Sequence, residues 1–294
     1  MINKQIYSLF KNGSRTYFYS SLFFPPKIKK EVFSLYGFVR KTDNFVDSIP
    51  QDINGFYEFK DKYYKAENGI DTNDIVIDSF MQLSRNKNFD PKWTESFLKS
   101  MEMDIKKNSY ETLEDILEYM YGSAEVIGSF MSRLMNLSKE AYNYAKYLGR
   151  AMQYINFIRD IDDDNKLGRI YFPQKDLREY GLKSFNYEET SRHKEEFTLF
   201  IHKQIDRYCK WQHYAEEGYK YIPKRYLIPV KTASEMYKWT AEQIYKNPFV
   251  VYNMKIKPMV KQIFTKTMLN MIDPSKPYHN MCFCKDKQII PQIS

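Results

Sequence analysis

Two segments of the sequence each place a pair of aspartates one helical turn apart. The first pair is Asp43 and Asp47, and the second is Asp160 and Asp164. Like charges four residues apart on a helix repel each other, at a cost of roughly 0.2–0.5 kcal/mol. A bound cation would offset that repulsion, so both pairs are candidate metal ligands.

Each pair shares its helical face with other polar side chains. At 100° per residue, Gln153 and Asn156 fall on the face of the second pair, within a sector of about 80°. Arg40 falls on the face of the first pair by the same arithmetic. Both helices therefore carry a polar stripe that a buried amphipathic helix would normally lack.

Carboxylates that face each other across a cavity are strongly unfavourable without cations. Oxygen ligands with room for water suit Mg²⁺, which is commonly shared between one or two carboxylates and the phosphates of a substrate. Arg40, Arg159 and Arg169 lie close to the aspartates in the sequence, so we expect them to bind the remaining phosphate oxygens. The predicted chemistry is metal-assisted binding of a phosphate-bearing substrate.

The two aspartate pairs admit other interpretations. A solvated acidic face is the plainer interpretation of either pair alone, but not of two pairs that each lie near an arginine in apolar sequence. An EF-hand loop from Asp160 fails because Asn165 and Tyr171 stand where glycine and glutamate are needed. The four histidines lack zinc spacing, and no nucleophile elbow, P-loop or Gly-x-Gly-x-x-Gly is present. We therefore expect chemistry without an enzyme nucleophile.

The elements that must position these residues are predicted to be helices. With only 10 glycines and long apolar-periodic segments, the sequence favours an all-α protein. We expect one domain, residues 1–272, and a loosely ordered tail, residues 273–294. The predicted helices are Asn3–Asn12, Thr16–Phe23, Lys27–Ser48, Gly55–Glu67, Asn73–Arg85, Pro91–Asn108, Leu113–Asn136, Lys139–Leu167, Tyr187–Glu217, Pro223–Lys246 and Lys257–Met271.

Composition narrows the partners and the compartment. The net charge of +8 and the isoelectric point near 9.0 favour an anionic partner, but no signature of nucleic-acid binding is present. Three cysteines are too few for a disulfide framework, which indicates a reducing compartment. No signal peptide and no apolar run of roughly 18 residues is found. We expect a cytoplasmic protein that is soluble or peripheral at a membrane.

Two long motifs carry a resemblance to a known family. They are LYGFVRKTDNFVD, residues 35–47, and QYINFIRDIDDD, residues 153–164, which GRIYFP follows at residues 168–173. Both resemble motifs of the squalene and phytoene synthases, the head-to-head trans-isoprenyl diphosphate synthases. The resemblance runs from about Ser14 to about Lys257. It implies a single-domain isoprenoid synthase bundle of helices with a central active-site cavity.

The resemblance implies roles for individual residues. The implied ligands of two or three Mg²⁺ ions, or close partners of those ligands, are Asp43, Asp47, Asn156, Asp160 and Asp164. The implied diphosphate contacts are Gly13, Ser14, Arg15, Thr16, Tyr36, Arg40, Gln153, Asn156, Arg159, Tyr237 and Lys255. Tyr121 is similar to an active-site tyrosine of the family. Three residues depart from the family pattern: Asp163 replaces Glu, Gly13 replaces a His of some members, and Lys255 replaces a frequent Arg.

The implied reaction joins two isoprenyl diphosphates through a cyclopropylcarbinyl diphosphate and releases diphosphate. Small Ser20 and Ser21 favour two C20 geranylgeranyl diphosphates, which give phytoene by way of prephytoene diphosphate. Two C15 farnesyl diphosphates, the alternative, give squalene or dehydrosqualene, and only squalene requires NADPH. An alternative of a different class is a non-catalytic scaffold of the same fold, although both aspartate pairs are retained. A terpene cyclase would need an Asn/Ser/Glu triad, which is absent.

Overall fold

Helices supply nearly all the regular structure of the computed structural model, which describes residues 2–253 and 255–275. The helices are α1 Lys4–Gly13, α2 Arg15–Ser21, α3 Pro26–Asp47, α4 Ile53–Glu67, α5 Ile75–Lys87, α6 Pro91–Lys106, α7 Leu113–Met120, α8 Val126–Leu134, α9 Ala141–Arg159, α10 Ile161–Lys166, α11 Gln174–Glu179, α12 Tyr187–Arg192, α13 Lys194–Glu217, α14 Lys224–Lys246, α15 Val250–Asn253 and α16 Val260–Ile272. A π-helical turn, Tyr121–Glu125, joins α7 to α8, and a 3-10 turn, Gly218–Tyr221, follows α13. The predicted all-α fold is confirmed.

Side-chain caps begin several of these helices. Asn3, Asp52, Asp74 and Asp90 each accept a hydrogen bond from an amide in the first turn of α1, α4, α5 and α6. Thr112 does the same for α7, as part of a capping box. Each cap satisfies an amide that would otherwise lack a partner and stabilises its helix by about 1 kcal/mol.

The helices pack into two apolar clusters that meet at one cavity. The first cluster includes Tyr154 of α9 and Phe200 of α13. The second includes Phe38 of α3, Phe80 of α5 and Phe97 of α6. Because α3 belongs to one cluster and α9 to the other, and both also line the cavity, each cluster fixes one wall of it.

Three predicted helices are interrupted in the structure. The predicted helix Lys139–Leu167 breaks at Asp160, which has φ −99° and ψ 15° and separates α9 from α10. The predicted helix Leu113–Asn136 contains the π-helical turn, and His193 interrupts the predicted helix Tyr187–Glu217. Apolar periodicity follows the buried face of a segment and does not register such local breaks.

The last described helix lies close to the predicted end of the domain. Helix α16 ends at Ile272, and the predicted tail lies almost wholly outside the described residues, so the division into domain and tail stays a prediction. Cys209 on α13 is disulfide-bonded, a bond that the sequence did not predict. Among the described helices, none combines the length and apolarity needed to cross a bilayer.

Candidate active site

A cavity of about 750 Å³ lies between α3, α9 and α14. Along α3 its lining is apolar at Val32 and Leu35 and becomes polar from Arg40 onward. Along α9 the lining is mainly apolar up to Met152 and mainly polar from Gln153. The C-terminal ends of both helices therefore form one polar end of the cavity, and the rest is a largely apolar body.

Most of the predicted site residues line this cavity. They are Gly13, Ser14, Arg15, Thr16, Tyr36, Arg40, Asp43, Asp47, Gln153, Asn156, Arg159, Asp160, Asp164, Tyr237 and Lys255. Two predicted residues, Tyr121 and Arg169, do not. Helical spacing explains the agreement for the two polar stripes, because residues three, four and seven apart on one helix share a face.

The first aspartate pair lies in the last two turns of α3. Asp43 and Asp47 both face the cavity. Burial raises the pKa of Asp43 to about 7, and the neighbouring Asp47 charge adds to the effect. The fold thus holds Asp43 where its ionised form needs a compensating cation.

The second pair spans the break between α9 and α10. Burial raises the pKa of Asp164 well above its usual value, and the charges of Asp160 and Asp47 raise it further. Because Asp47 belongs to the first pair, this repulsion means that the two pairs approach each other across the cavity. The two motifs, which lie far apart in the sequence, therefore meet at this one cavity, because all four aspartates line it.

Two basic side chains contact the acidic turn that contains Asp160. Arg159 donates from Nε and Nη2 to the two carboxylate oxygens of Asp160, at 2.8 and 2.5 Å. Lys255 places Nζ 3.6 Å from Asp160 and 2.7 Å from Asp163. Both basic residues therefore stand beside the carboxylates, where they can also meet a bound diphosphate.

The donor set at the polar end fits a hard divalent cation. Oδ1 of Asn156 is buried without a hydrogen-bond partner, and it lies one helical turn before Asp160. The nearby aspartates supply further oxygen donors of the kind that Mg²⁺ prefers. In residues 2–253 and 255–275, however, no three His, Cys, Asp or Glu side chains are close enough to hold a metal ion by themselves. Oxygens of a substrate would have to complete the coordination.

The junction of α1 and α2 forms a second wall of the polar end. The Ser14 hydroxyl caps α2 by accepting a hydrogen bond from the amide of Tyr17 at 3.2 Å. A β-carbon at Gly13 would lie 2.5 Å from the Tyr36 hydroxyl and 2.9 Å from Cδ of Arg40, so a larger residue here would require these two side chains to shift. The junction thereby brings its polar residues beside Tyr36 and Arg40.

Three tyrosines stand between the polar end and the apolar body. The rings of Tyr17 and Tyr237 have centroids 5.4 Å apart, and both residues line the cavity with Tyr36. Burial raises the pKa of all three hydroxyls. They are therefore neutral phenols at physiological pH.

Arg169 does not occupy the predicted diphosphate site. Its Nη1 donates to Oδ1 of Asp47 at 3.0 Å and to the Tyr171 hydroxyl at 3.3 Å, and its Nη2 donates to the carbonyl of Val46 at 2.5 Å. The guanidinium is buried and absent from the cavity lining. Sequence proximity to the acidic turn suggested a phosphate contact, but the chain turns after α10 and places Arg169 behind the end of α3. We reassign it as an anchor for Asp47.

Tyr121 does not face the cavity either. Its side chain is 37% exposed, and the Lys146 ammonium lies 5.6 Å from the ring centroid. Tyr119, two residues earlier, lines the cavity together with Ser123. Residues two apart on a helix differ by about 200°, so Tyr119 and Tyr121 point to opposite sides. The structure therefore places Tyr119, and not the predicted Tyr121, at the cavity.

Asp104 is the functional candidate that the sequence analysis missed. It lies on α6, is buried, and lines the cavity next to Tyr119 and Tyr171. A signal was present, because Asp104 continues the apolar stripe of Phe97 and Met101 at spacings of seven and three residues. A lone carboxylate on a core-facing stripe is uncommon enough to attract notice.

Comparison with known proteins decides the family. The squalene/phytoene synthase family profile matches residues 10–262. The chain belongs to the squalene/phytoene synthase family. Members of this family use isoprenyl diphosphate substrates and a divalent metal.

Individual family members resemble the chain at modest identity. The phytoene synthase of Pseudescherichia vulneris is 26% identical over 242 residues, which cover 77% of each chain. Phytoene synthase 1 of Solanum lycopersicum is 24% identical over 249 residues, and the match spans 80% of this chain but only 59% of that relative. A crystal structure of a dehydrosqualene synthase in complex with a ligand superposes with a TM-score of 0.81 at 20% identity, covering 90% of this chain and 93% of that one. The family fold is therefore shared.

Proposed function

We propose that this protein catalyses the head-to-head condensation of two isoprenyl diphosphates. The observation that carries the proposal is a single cavity whose polar end joins two aspartate pairs and whose body is largely apolar. The polar end suits two diphosphates, and the apolar body suits two prenyl chains. Retention of both aspartate pairs argues against a non-catalytic scaffold.

The polar end is suited to hold the leaving diphosphate. Arg40, Arg159 and Lys255 can donate charge-assisted hydrogen bonds to its oxygens. The residues that would hold Mg²⁺ are Asp43, Asp47, Asn156, Asp160 and Asp164, and the bound ions would neutralise the charge that develops as the diphosphate departs. The side chains of this chain then keep the diphosphate at one end while the reaction proceeds in the apolar body.

The first half of the reaction breaks one C–O and one C–H bond and forms two C–C bonds. The allylic C–O bond of one substrate ionises, and its electron pair leaves with the diphosphate. The double bond of the second substrate attacks the allylic cation, and a proton is lost as the cyclopropane closes. Neutral phenols such as Tyr17, Tyr36 and Tyr237 can face the cation without reacting with it, and the apolar walls exclude water. Ionisation of the cyclopropylcarbinyl diphosphate, rearrangement and loss of a second proton complete the conversion to phytoene.

Small side chains in the apolar body favour C20 substrates. Ser20 and Ser21 line the cavity and direct their hydroxyls to carbonyls of their own helix, at 3.2 and 2.9 Å. Ala145, Gly149 and Gly218 line the opposite side. We therefore propose geranylgeranyl diphosphate as substrate and phytoene as product. The similarity to a dehydrosqualene synthase structure supports a C15 reaction as the second candidate.

Product analysis tests the proposal. Pure protein with Mg²⁺ should convert geranylgeranyl diphosphate to phytoene, and Asp43→Asn and Asp160→Asn should abolish turnover while the helical circular dichroism signal persists. Incubation with farnesyl diphosphate, with and without NADPH, identifies squalene or dehydrosqualene if the C15 reaction prevails. No C40 or C30 hydrocarbon from any combination would refute the proposal.

A substitution in the apolar body tests chain length separately. Ser21→Phe should reduce turnover of the C20 substrate more than that of the C15 substrate, because the added ring occupies the cavity. Ser109→Phe, at an exposed position, serves as the matched control. An unchanged C20 to C15 ratio in Ser21→Phe would contradict this placement of the prenyl chain.

We also propose that α16 rests on an anionic membrane surface. Met268 and Ile272 are 63% and 75% exposed, and Phe264 lies on the same face of the helix. Lys257 and Lys261 are exposed at its N-terminal end, next to the polar end of the cavity that Lys257 lines. An apolar helix face with flanking lysines suits the interface of a bilayer that contains anionic lipids.

Vesicle sedimentation tests this surface. The protein should bind phosphatidylcholine vesicles that contain about 30 mol% phosphatidylglycerol more tightly than vesicles of phosphatidylcholine alone. The double variant Met268→Ser/Ile272→Ser should weaken that binding. Leu199→Ser, which changes an exposed apolar residue on a different helix, α13, should not. Equal binding by all three proteins, or no binding by any, would exclude the α16 face as the membrane contact.

A further inference from the structure

A buried carboxylate lies beneath the polar end of the cavity, on a helix that carries none of the family motifs. Asp104 of α6 is 6% exposed. Its Oδ2 accepts a hydrogen bond from the Tyr119 hydroxyl at 2.8 Å, and its Oδ1 accepts one from the Tyr171 hydroxyl at 2.7 Å. All three residues line the cavity.

No cation is in direct contact with this carboxylate. Among residues 2–253 and 255–275, Asp104 makes no ion pair within 4 Å. Asp176 is buried as well, but it forms an ion pair with Arg207 at 2.9 Å and does not line the cavity. A buried carboxylate whose direct partners are two phenols, with the Arg169 charge beyond them, is costly to maintain. Replacement by a neutral residue would remove that cost, which suggests that the charge has a use.

The hydrogen bonds fix the orientation of both phenols. A tyrosine hydroxyl has a single proton, and here Tyr119 and Tyr171 both give theirs to Asp104. The Tyr171 oxygen also accepts from Arg169, which continues the chain of contacts to Asp47. The Tyr119 oxygen has no other hydrogen-bond partner among the described residues. Tyr119 is itself a residue of the cavity wall.

We propose that Asp104 is a positioning residue that turns Tyr119 into a proton acceptor for the condensation. The inference rests on the proposed function, because closing the cyclopropane requires the loss of one proton. The breaking C–H bond gives its electron pair to the new C–C bond of the ring. Its proton passes to the Tyr119 oxygen as the phenol proton passes to Asp104, so the tyrosine remains neutral throughout.

Asp104 is suited to receive that proton. Burial raises the pKa of Asp104 to about 6, and the nearby charge of Arg169 and the two phenolic hydrogen bonds partly offset the effect of burial. A carboxylate with a pKa near the working pH is ionised before the step and holds a proton readily after it.

Kinetics of matched variants test the proposal. Asp104→Asn and Tyr119→Phe should each lower kcat by about 10²-fold or more with little change in KM, because general base assistance acts in the transition state. The kcat of the double variant should lie within about threefold of the kcat of either single variant, since the two residues act as a unit. Asp176→Asn, the matched buried control, should keep the wild-type kcat even if it lowers the melting temperature.

An isotope effect separates proton transfer from a structural role. With substrate deuterated at C1, Asp104→Asn should show a larger isotope effect on kcat than the wild type, because proton removal becomes slower than the other steps. A structural defect alone would leave the isotope effect unchanged. If Asp104→Asn does not fold, Tyr119→Phe decides by the same two measurements.

The outcomes distinguish this proposal from the proposed function. An active wild type with unimpaired Asp104→Asn and Tyr119→Phe overturns the role of Asp104 alone. Multiplicative losses in the double variant, or an unchanged isotope effect, overturn it as well. A wild type that makes no product from any substrate overturns both the proposed function and this inference.

Discussion

Arg169 allows a sharp test of how the fold holds the first aspartate pair. We consider Arg169→Lys, which keeps the charge but replaces a planar fork with a single ammonium group. The guanidinium is 5% exposed and contacts Asp47, Val46 and Tyr171 through two nitrogens. One ammonium cannot reach all three acceptors in this arrangement.

The expected loss can be worked from these contacts. A hydrogen bond to a charged group contributes about 1.5–3 kcal/mol, and a buried acceptor left without a donor costs about 1–3 kcal/mol. Because the Asp47 side chain is 44% exposed, solvent recovers part of its share. We expect Arg169→Lys to lower the free energy of unfolding by about 2–3 kcal/mol, mainly through the Val46 carbonyl. With a slope of about 3 kcal/mol per molar urea, the midpoint should fall by nearly 1 M.

The same substitution should weaken ligand binding through Asp47. Loss of a residue that orients a metal ligand typically lowers metal affinity by about 10–100-fold. The measurement is calorimetric titration of Mg²⁺ in the presence of inorganic pyrophosphate, together with urea unfolding. Arg178→Lys is the control, because Arg178 and Glu111 form an exposed pair, and it should leave both quantities unchanged. An Arg169→Lys protein with the wild-type urea midpoint and affinity would refute the anchoring role.

Three further predictions follow from the site and its walls. Asp43→Asn should raise the melting temperature of the metal-free protein, because it removes a buried charge beside Asp47. Mg²⁺ with pyrophosphate should raise the melting temperature of the wild type but not that of Asp43→Asn. An equal rise in both proteins would contradict the metal assignment. Asp104 has a pKa of about 6 in the folded protein, above an unfolded value of about 3.9, so its contribution to stability is present at low pH and is lost as the pH rises to 6. Between pH 5 and pH 7, the free energy of unfolding measured in urea should fall by about 1.4 kcal/mol more for the wild type than for Asp104→Asn. Parallel pH dependences of the two proteins would contradict this prediction. Gly128→Ala should destabilise the protein by about 1–3 kcal/mol or more, because a β-carbon there would lie 2.2 Å from the Ala145 carbonyl oxygen where α8 crosses α9, and an unchanged thermal midpoint would show that the helices can separate without cost.

Local patterns in the sequence were sufficient for the all-α fold and for the two polar stripes that line the cavity. Helical spacing alone put Gln153, Asn156 and Asp160 on one face, since residues on the same helix have fixed relative directions. The caps and prolines that begin the helices are likewise local signals, as at Asp90 and Pro91. Breaks such as the one at Asp160 escaped prediction because they leave the apolar period nearly unchanged.

Contacts between distant segments were beyond these local rules. Arg169 reaches Asp47 across 122 residues, and Tyr171 reaches Asp104 across 67. The assignment of Tyr121 failed for a related reason, because the motif did not specify which of two tyrosines faces inward until α7 packed against its neighbours. Spacing along one helix carries no information about which residue of another helix lies opposite.

The sequence by itself determined that two aspartate stripes exist and that helices carry them, because both properties depend on the local period of the α-helix. Only the tertiary structure decided that the stripes converge on one cavity and that Arg169 supports Asp47 from behind. It also decided that Asp104 sits beneath them with two phenols. These arrangements depend on how helices far apart in the chain pack, and the physical reason is that burial of their apolar faces, not local propensity, fixes their mutual positions.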